Sequence, residues 1–345
     1  MGMLRITATI DLDQFWPGKD GAPHTNALIS DADTVGIVVA NDGIEFQRDP
    51  GGPFQVTRVF DRAEADDGKR RNRVLNNQRR MKIRLQGVDA PELHFRPTKP
   101  DGMSLSPAQY QEFLKWNFDY RQSLAETCTV KLRTELLREG PTLKTCVMTT
   151  QVDHPNDVFD KYGRGIGDLT VRVGAEGLQI NRWLLRNGWA LPSFYASMTA
   201  AEITELTALC QTARQQDAGI WPHVAGGLLG FDPGKRYRGT GALIDPAPDT
   251  GAFIVPKLFR RQAAWFALGK ASAAPASFLS YLGGFQEYFQ IASEFIAQGS
   301  AAATPHPIAD IVATNGLFVY QPEETVYFES SSTLVDESGN PVINW

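Results

Sequence analysis

β-Branched residues dominate Ile6–Ile10 and Thr34–Val39, which predicts two strands, and the partial alternation of Met81–Val88 predicts a third. Thr129–Thr134, Lys144–Gln151 and Gly167–Val173 carry the same signal and predict three more. Helices are marked by their ends. Ser106-Pro107 supplies an N-cap and a proline at the first helical position, predicting an amphipathic helix to about Thr127. A short helix from about Leu178 is expected to stop at Asn187-Gly188, and Thr199-Ala200-Ala201-Glu202 is a capping box opening another that runs to about Ala218. About five strands followed by helices predict an α+β domain, a small β-barrel with helices packed outside it.

Beyond residue 230 the texture changes. Phe278, Leu282, Phe285, Phe289, Ala292 and Phe295 recur at spacings of three and four, predicting one apolar helical stripe. Lys257–Lys270 is predicted as a further helix, and Leu317–Tyr320, Thr325–Phe328, Thr333–Val335 and Val342–Asn344 as short strands. Asp232-Pro233-Gly234 turn chemistry lies in a glycine-rich stretch that fits a boundary. The expected organisation is a first domain over 1–222, a linker over 223–238 and an aromatic-rich α+β extension over 239–345.

Composition refines this picture. The chain has 345 residues and a formal net charge of −5, which argues against a uniformly basic nucleic-acid coat but allows a local basic site. Residues 1–230 carry a net of −1 and residues 231–345 a net of −4, so the acidity lies mostly in the tail. An acid-leaning aromatic tail has the wrong sign for a nucleic-acid-binding surface; it reads as a packing extension, a dimerisation or partner-docking module, or an immunity- or substrate-directing element. Three cysteines without paired spacing read as reduced core thiols. The first residues hold no apolar run of signal-peptide length, and Lys270 and Pro275 interrupt the most apolar stretch, Ala263–Phe285. A cytoplasmic location is therefore expected over export by a route the sequence does not display.

Candidate chemistry gathers at predicted strand ends. Arg84 sits on the strand that hands the chain to Asp89-Ala90-Pro91-Glu92; Asp31-Ala32-Asp33-Thr34 and Asp160-Lys161-Tyr162-Gly163-Arg164 are polar turns leading into other strands. Taken singly, Asp and Pro are ordinary turn residues and a lone arginine is usually solvated or paired. Taken in order, the three segments resemble the staphylococcal nuclease family, with its Asp-Gly-Asp-Thr turn, Arg-x-x-x-x-Asp-[Thr/Ala]-Pro-Glu and Asp-Lys-Tyr-Gly-Arg. Leu184-Leu185-Arg186-Asn187-Gly188-Trp189-Ala190 and Ala218-Gly219-Ile220-Trp221 match two further landmarks, so the resemblance covers about residues 5–222.

That resemblance implies a staphylococcal nuclease-like OB-fold, a five-stranded barrel with three helices, acting as a calcium-dependent nuclease on DNA and, as a second candidate substrate, RNA. By matched position, Asp33, Asp89 and the Ala90 carbonyl would be calcium ligands, hard oxygens suited to that ion. Glu92 would activate or orient the attacking water, and Arg84 and Arg164 would grip the phosphate in a fork that lysine lacks. Lys161, Tyr162 and Tyr195 are carried over as substrate-binding candidates, Tyr195 on a looser match because Phe194 and Tyr195 stand where the family has paired tyrosines. Ala32 replaces the family's glycine, which matters only where that position needs positive φ.

Two insertions are expected, near 41–80 and 135–159. In the first, Lys69 to Arg84 holds eight cations and no acid; Arg70, Arg71 and Arg73 read either as a phosphate-tracking arm or as a solvated loop. His94 and His154 lie near the two key turns without forming a metal constellation. The rival reading is a non-catalytic nucleic-acid or protein-binding module of the same fold, against which the joint presence of Arg84, Glu92, Arg164, Asp33 and Asp89 weighs.

Overall fold

Along Gly2–Asp11 every second residue is buried, with Leu4, Ile6, Ala8 and Ile10 inside, and the same period of two governs Leu143–Val152 and Gly165–Val173. Such one-sided burial fixes register, because a one-residue slip would turn the whole apolar set to the wrong face. The computed structural model describes residues 1–13, 31–58, 79–100, 102–160, 163–228, 230–237 and 251–328. Among them the strands are β1 (Gly2–Asp11), β2 (Thr34–Gln47), β3 (Gln55–Val56), β4 (Arg80–Leu85), β5 (Gly87–Asp89), β6 (Leu143–Val152), β7 (Gly165–Val173), β8 (Glu176–Gln179), β9 (Leu191–Tyr195), β10 (Tyr288–Ile291), β11 (His306–Pro307) and β12 (Thr325–Tyr327). The helices are α1 (Pro107–Lys115), α2 (Ala125–Leu136), α3 (Ile180–Arg186), α4 (Ala200–Gln215), α5 (Pro256–Lys270), α6 (Phe278–Leu282) and α7 (Ala292–Gln298). None of these is long and apolar enough to cross a membrane. The class is α+β with mixed sheets, and the chain divides into two compact units that do not follow its linear order.

The first unit comprises the described residues of 1–86 and 130–183. Its strands pair in the order β1-β6-β7-β4-β2-β3, with β8 added to β7, and β1 also pairs with β2, so the path returns on itself. β4 and β7 run parallel and the other pairs antiparallel. Ile6, Ile10, Val35, Ile37, Ile83, Leu169 and Val171 fill the interior.

The second unit comprises residues 87–129 and 184–329. Its sheet runs β11-β10-β12-β9-β5, with β9 and β12 parallel. One apolar cluster joins Phe113 and Tyr120 to Ile254, Leu258, Phe259, Leu268, Phe289 and Tyr327. Residues after 251 therefore share a core and a sheet with residues far earlier in the chain. A buried pair adds to this: Arg214 on α4 bonds Glu323, which is 4% exposed, while its guanidinium lies over the Trp221 ring. The two glycine landmarks also meet here. Gly188 (φ +66°) ends α3, its carbonyl accepts from the Ile220 amide at 2.8 Å, and a Cβ at Gly188 would collide with the Ala218 carbonyl oxygen.

Four sequence expectations are corrected. Thr129–Thr134 is helical, within α2: Cys128, Leu132 and Leu136 form a buried stripe at spacings of four, and the Thr129 and Thr134 hydroxyls donate to the Ala125 and Val130 carbonyls one turn back. The helix begun at Pro107 ends at Lys115 instead of near Thr127. Beyond it, Tyr120 exchanges backbone hydrogen bonds of 2.8 Å with Phe95, a pairing that requires extended chain. The stripe Phe278–Phe295 is not one helix. Its Phe278, Leu282, Phe289, Ala292 and Phe295 are buried as periodicity predicts, but Gly283-Gly284 follow α6, and Phe289 pairs with Tyr327 in β10. Leu317–Tyr320 forms isolated bridges only, and Thr333–Val335 and Val342–Asn344 lie outside the described residues.

Candidate active site

In the first unit, antiparallel pairing of β2 with β4 sets Thr34 opposite Arg84, and parallel pairing of β4 with β7 sets Arg84 beside Ile166. Asp33, immediately before β2, is 1% exposed; its backbone carbonyl accepts from the Leu85 amide at 2.8 Å, and its carboxylate receives Arg84 Nη1 and, at 3.2 Å, the Thr34 hydroxyl. A buried carboxylate is tolerated because a guanidinium and a hydroxyl donate to it. Ala32 is buried and is not among the residues with positive φ, so the absent glycine costs no backbone strain.

Arg164 is placed by its own turn. Gly163 takes φ +77°, the Asp160 amide donates to the Arg164 carbonyl at 2.9 Å, and the Asp160 carboxylate accepts from the Arg164 amide at 2.9 Å and from Nε and Nη2 at 2.7 Å each. This two-nitrogen grip fixes the plane of the guanidinium, and Nη1 reaches the Thr34 hydroxyl at 3.4 Å. Thr34 thus links the surroundings of Arg84 and Arg164. Their side chains are 16% and 27% exposed, so both forks keep a face toward solvent. Lys161 and Tyr162, and Arg70, Arg71 and Arg73, lie outside the described residues.

In the second unit, Asp89 closes β5 opposite Leu191 of β9, and Asp89, Ala90 and Glu92 are all buried. Gln122, 1% exposed, clamps the turn: its backbone amide donates to the Glu92 carbonyl at 2.8 Å, its side-chain oxygen accepts from the Glu92 amide at 2.9 Å, and its side-chain nitrogen donates to the Ile254 carbonyl at 2.9 Å. Arg260 of α5 completes the arrangement. Its Nη1 bonds Glu92 Oε1 and lies 3.5 Å from Asp89 Oδ1. Burial opposes the charge on Arg260, but the Asp89 and Glu92 carboxylates outweigh it and hold the guanidinium pKa well above its ordinary range. Tyr195 ends β9, its ring 6.1 Å from that of Tyr327, with Lys257 Nζ 4.2 Å from the Tyr327 ring centre.

Arg260 and Gln122 escaped sequence reasoning. Arg260-Arg261 in an amphipathic helix reads as a solvated pair, and Gln122 follows an arginine in an unremarkable polar stretch. The only available signal was the proline opening α5, which marks a helix but not what its side chains touch. Among the described residues no group of three or more His, Cys, Asp or Glu is arranged to hold a metal ion. His94 packs edge-on against Tyr237 at 5.6 Å.

No curated protein matches the chain. Arg84, Asp89, Ala90, Glu92, Arg164 and Tyr195 fall inside a segment that a family model matches, whereas Asp33 and Arg260 fall outside it. That segment, residues 82–223, is a match to the staphylococcal nuclease homologue family, a family of nucleases and nucleic-acid-binding relatives.

Proposed function

We propose that the chain is a calcium-dependent nuclease that hydrolyses phosphodiester bonds in DNA, with RNA as a second substrate. The observation that carries this reading is the joint presence, within the matched segment, of Arg84, Asp89, Glu92 and Arg164 in the family's order. The strand path that returns on itself supports reading the first unit's sheet as the five-stranded barrel of an OB-fold.

Arg84 and Arg164 would each present the solvent-facing part of a fixed fork to two non-bridging phosphate oxygens, and would stabilise the charge gained as phosphorus becomes five-coordinate. Glu92 would orient a water and accept its proton as the new O–P bond forms, while the bond from phosphorus to the departing oxygen breaks and that oxygen takes a proton from solvent. Tyr195, with Lys161 and Tyr162 by matched motif, would hold neighbouring groups of the substrate.

Two carboxylates and a carbonyl are the hard oxygen donors that calcium takes, so Asp33, Asp89 and the Ala90 carbonyl fit that ion chemically. When bound, calcium would supply positive charge to offset that of the phosphate.

The test is digestion of end-labelled single- and double-stranded DNA and RNA with calcium or with a chelator. Cleavage in calcium that stops with the chelator is expected. Binding without cleavage under every condition would select the non-catalytic module instead.

A further inference from the structure

The residues after 251 do more than add mass to the second unit, because Arg260 reaches the carboxylate proposed to handle the attacking water. We infer that Arg260 is a positioning residue for Glu92, supplied by the C-terminal segment and lying outside the matched family segment. This inference rests on the nuclease reading above.

Three observations place Arg260 as a built part of the site. First, Nη1 alone serves two carboxylates, bonding Glu92 Oε1 and lying 3.5 Å from Asp89 Oδ1. Two like charges buried side by side repel, and a shared cation is what holds both in place. Second, α5 is anchored by Leu258, Phe259, Ala263, Ala267 and Leu268, all buried in the unit's core, so the guanidinium is carried on a packed helix. Third, the backbone on both sides is tied through one side chain: Gln122 receives the Glu92 amide and donates to Ile254, two residues before α5 begins. Helix and turn are thereby set against each other by hydrogen bonds independent of the ion pair. A plug that must leave before turnover would not be expected to share its anchor with the residue it blocks.

The chemical consequence concerns direction. A carboxylate that accepts a proton from water must be held at the right angle, and a guanidinium bonded to Oε1 restricts how the Glu92 carboxylate can turn. Removing the guanidinium should leave substrate binding nearly intact and slow the chemical step.

The experiment uses the full chain, calcium and an end-labelled DNA oligonucleotide, comparing wild type, Arg260→Met, Arg260→Lys, Glu92→Gln and the Arg260→Met/Glu92→Gln double variant, each checked by circular dichroism. The expected result for Arg260→Met is a loss in kcat of about 100-fold with KM within about threefold, and a partial loss for Arg260→Lys, which keeps the charge but not the fork. In the Glu92→Gln background, Arg260→Met should cost much less than in the wild type, because the residue acts mainly through that carboxylate. A fully additive loss would show a merely structural role and overturn the inference, as would unchanged activity. Faster cleavage by Arg260→Met would identify a block and overturn it as well. Should Arg260→Met fail to fold, Arg260→Lys carries the same comparison. A wild-type chain that leaves the oligonucleotide intact overturns the nuclease reading and this inference together; active wild type with an equally active Arg260→Met overturns this inference alone.

Discussion

Replacing Gln122 by leucine removes two buried side-chain hydrogen bonds at once while nearly keeping volume. The Glu92 amide loses its acceptor at 2.9 Å and the Ile254 carbonyl loses its donor at 2.9 Å. Glu92 is 6% exposed and Ile254 fully buried, so water has little room to replace either partner. An unsatisfied buried polar group costs about 1 to 3 kcal/mol, so the two together should destabilise the second unit by about 2 to 6 kcal/mol, less a few tenths recovered from the apolar side chain. The backbone bond from the Gln122 amide to the Glu92 carbonyl survives, which limits the damage to those two groups. Urea unfolding followed by tryptophan fluorescence suits the measurement, since Trp116, Trp189, Trp221 and Trp265 all lie in the second unit. The expected result is a lower midpoint with the slope unchanged. A loss below about 1 kcal/mol would refute the claim that Gln122 joins the Glu92 turn to the chain entering α5.

Other consequences follow from the same structure. Gly188→Ala should destabilise the chain by about 2 kcal/mol or more, because alanine at φ +66° is strained and its Cβ meets the Ala218 carbonyl; a shift in thermal midpoint within error of wild type would contradict this. Burial pushes the Cys146 thiol from 9.0 up to about 12, so the unfolded chain releases this proton first and stability should fall as pH rises through that window. Subtracting a Cys146→Ala series should isolate a slope of about 1.4 kcal/mol per pH unit, and parallel curves would refute the assignment. Neutralising Arg70, Arg71 and Arg73 should lower the slope of log binding constant against log salt by about 2 to 3 if these residues track phosphates; an unchanged slope would make the run a solvated loop.

How far the sequence carried the account depended on the physical origin of each feature. Strands with one buried face were legible through their β-branched content, as in β1, β6 and β7, where the structure buries every second residue. Local caps were equally legible: the Ser106 N-cap and the Thr199 capping box both form, and at Ser106 the structure adds a reciprocal bond from Gln109. Thr129–Thr134 misled because β-branched residues favour strands on average, whereas here a buried stripe at helical spacing and hydroxyl bonds to the preceding turn decide the matter. Tyr120 and Phe289 misled for the complementary reason, since distant backbone partners, Phe95 and Tyr327, impose extended chain on residues with helical spacing. In the candidate site, Asp33 with Arg84 and Asp160 with Arg164 were found as motif members, and their pairings follow from strand register and a tight turn. Arg260 could not be found that way. Its partnership with Glu92 spans 168 positions and depends wholly on tertiary packing.

The central claim is that Glu92 serves the chemical step and not the holding of nucleic acid. Its most direct test is single-turnover cleavage of an end-labelled oligonucleotide in calcium by wild type and Glu92→Gln, with the dissociation constant of each measured in parallel. The account predicts a rate lowered by at least about 100-fold and affinity within a few-fold of wild type. Glu92→Gln cleaving at the wild-type rate, or losing affinity in proportion to rate, would contradict it.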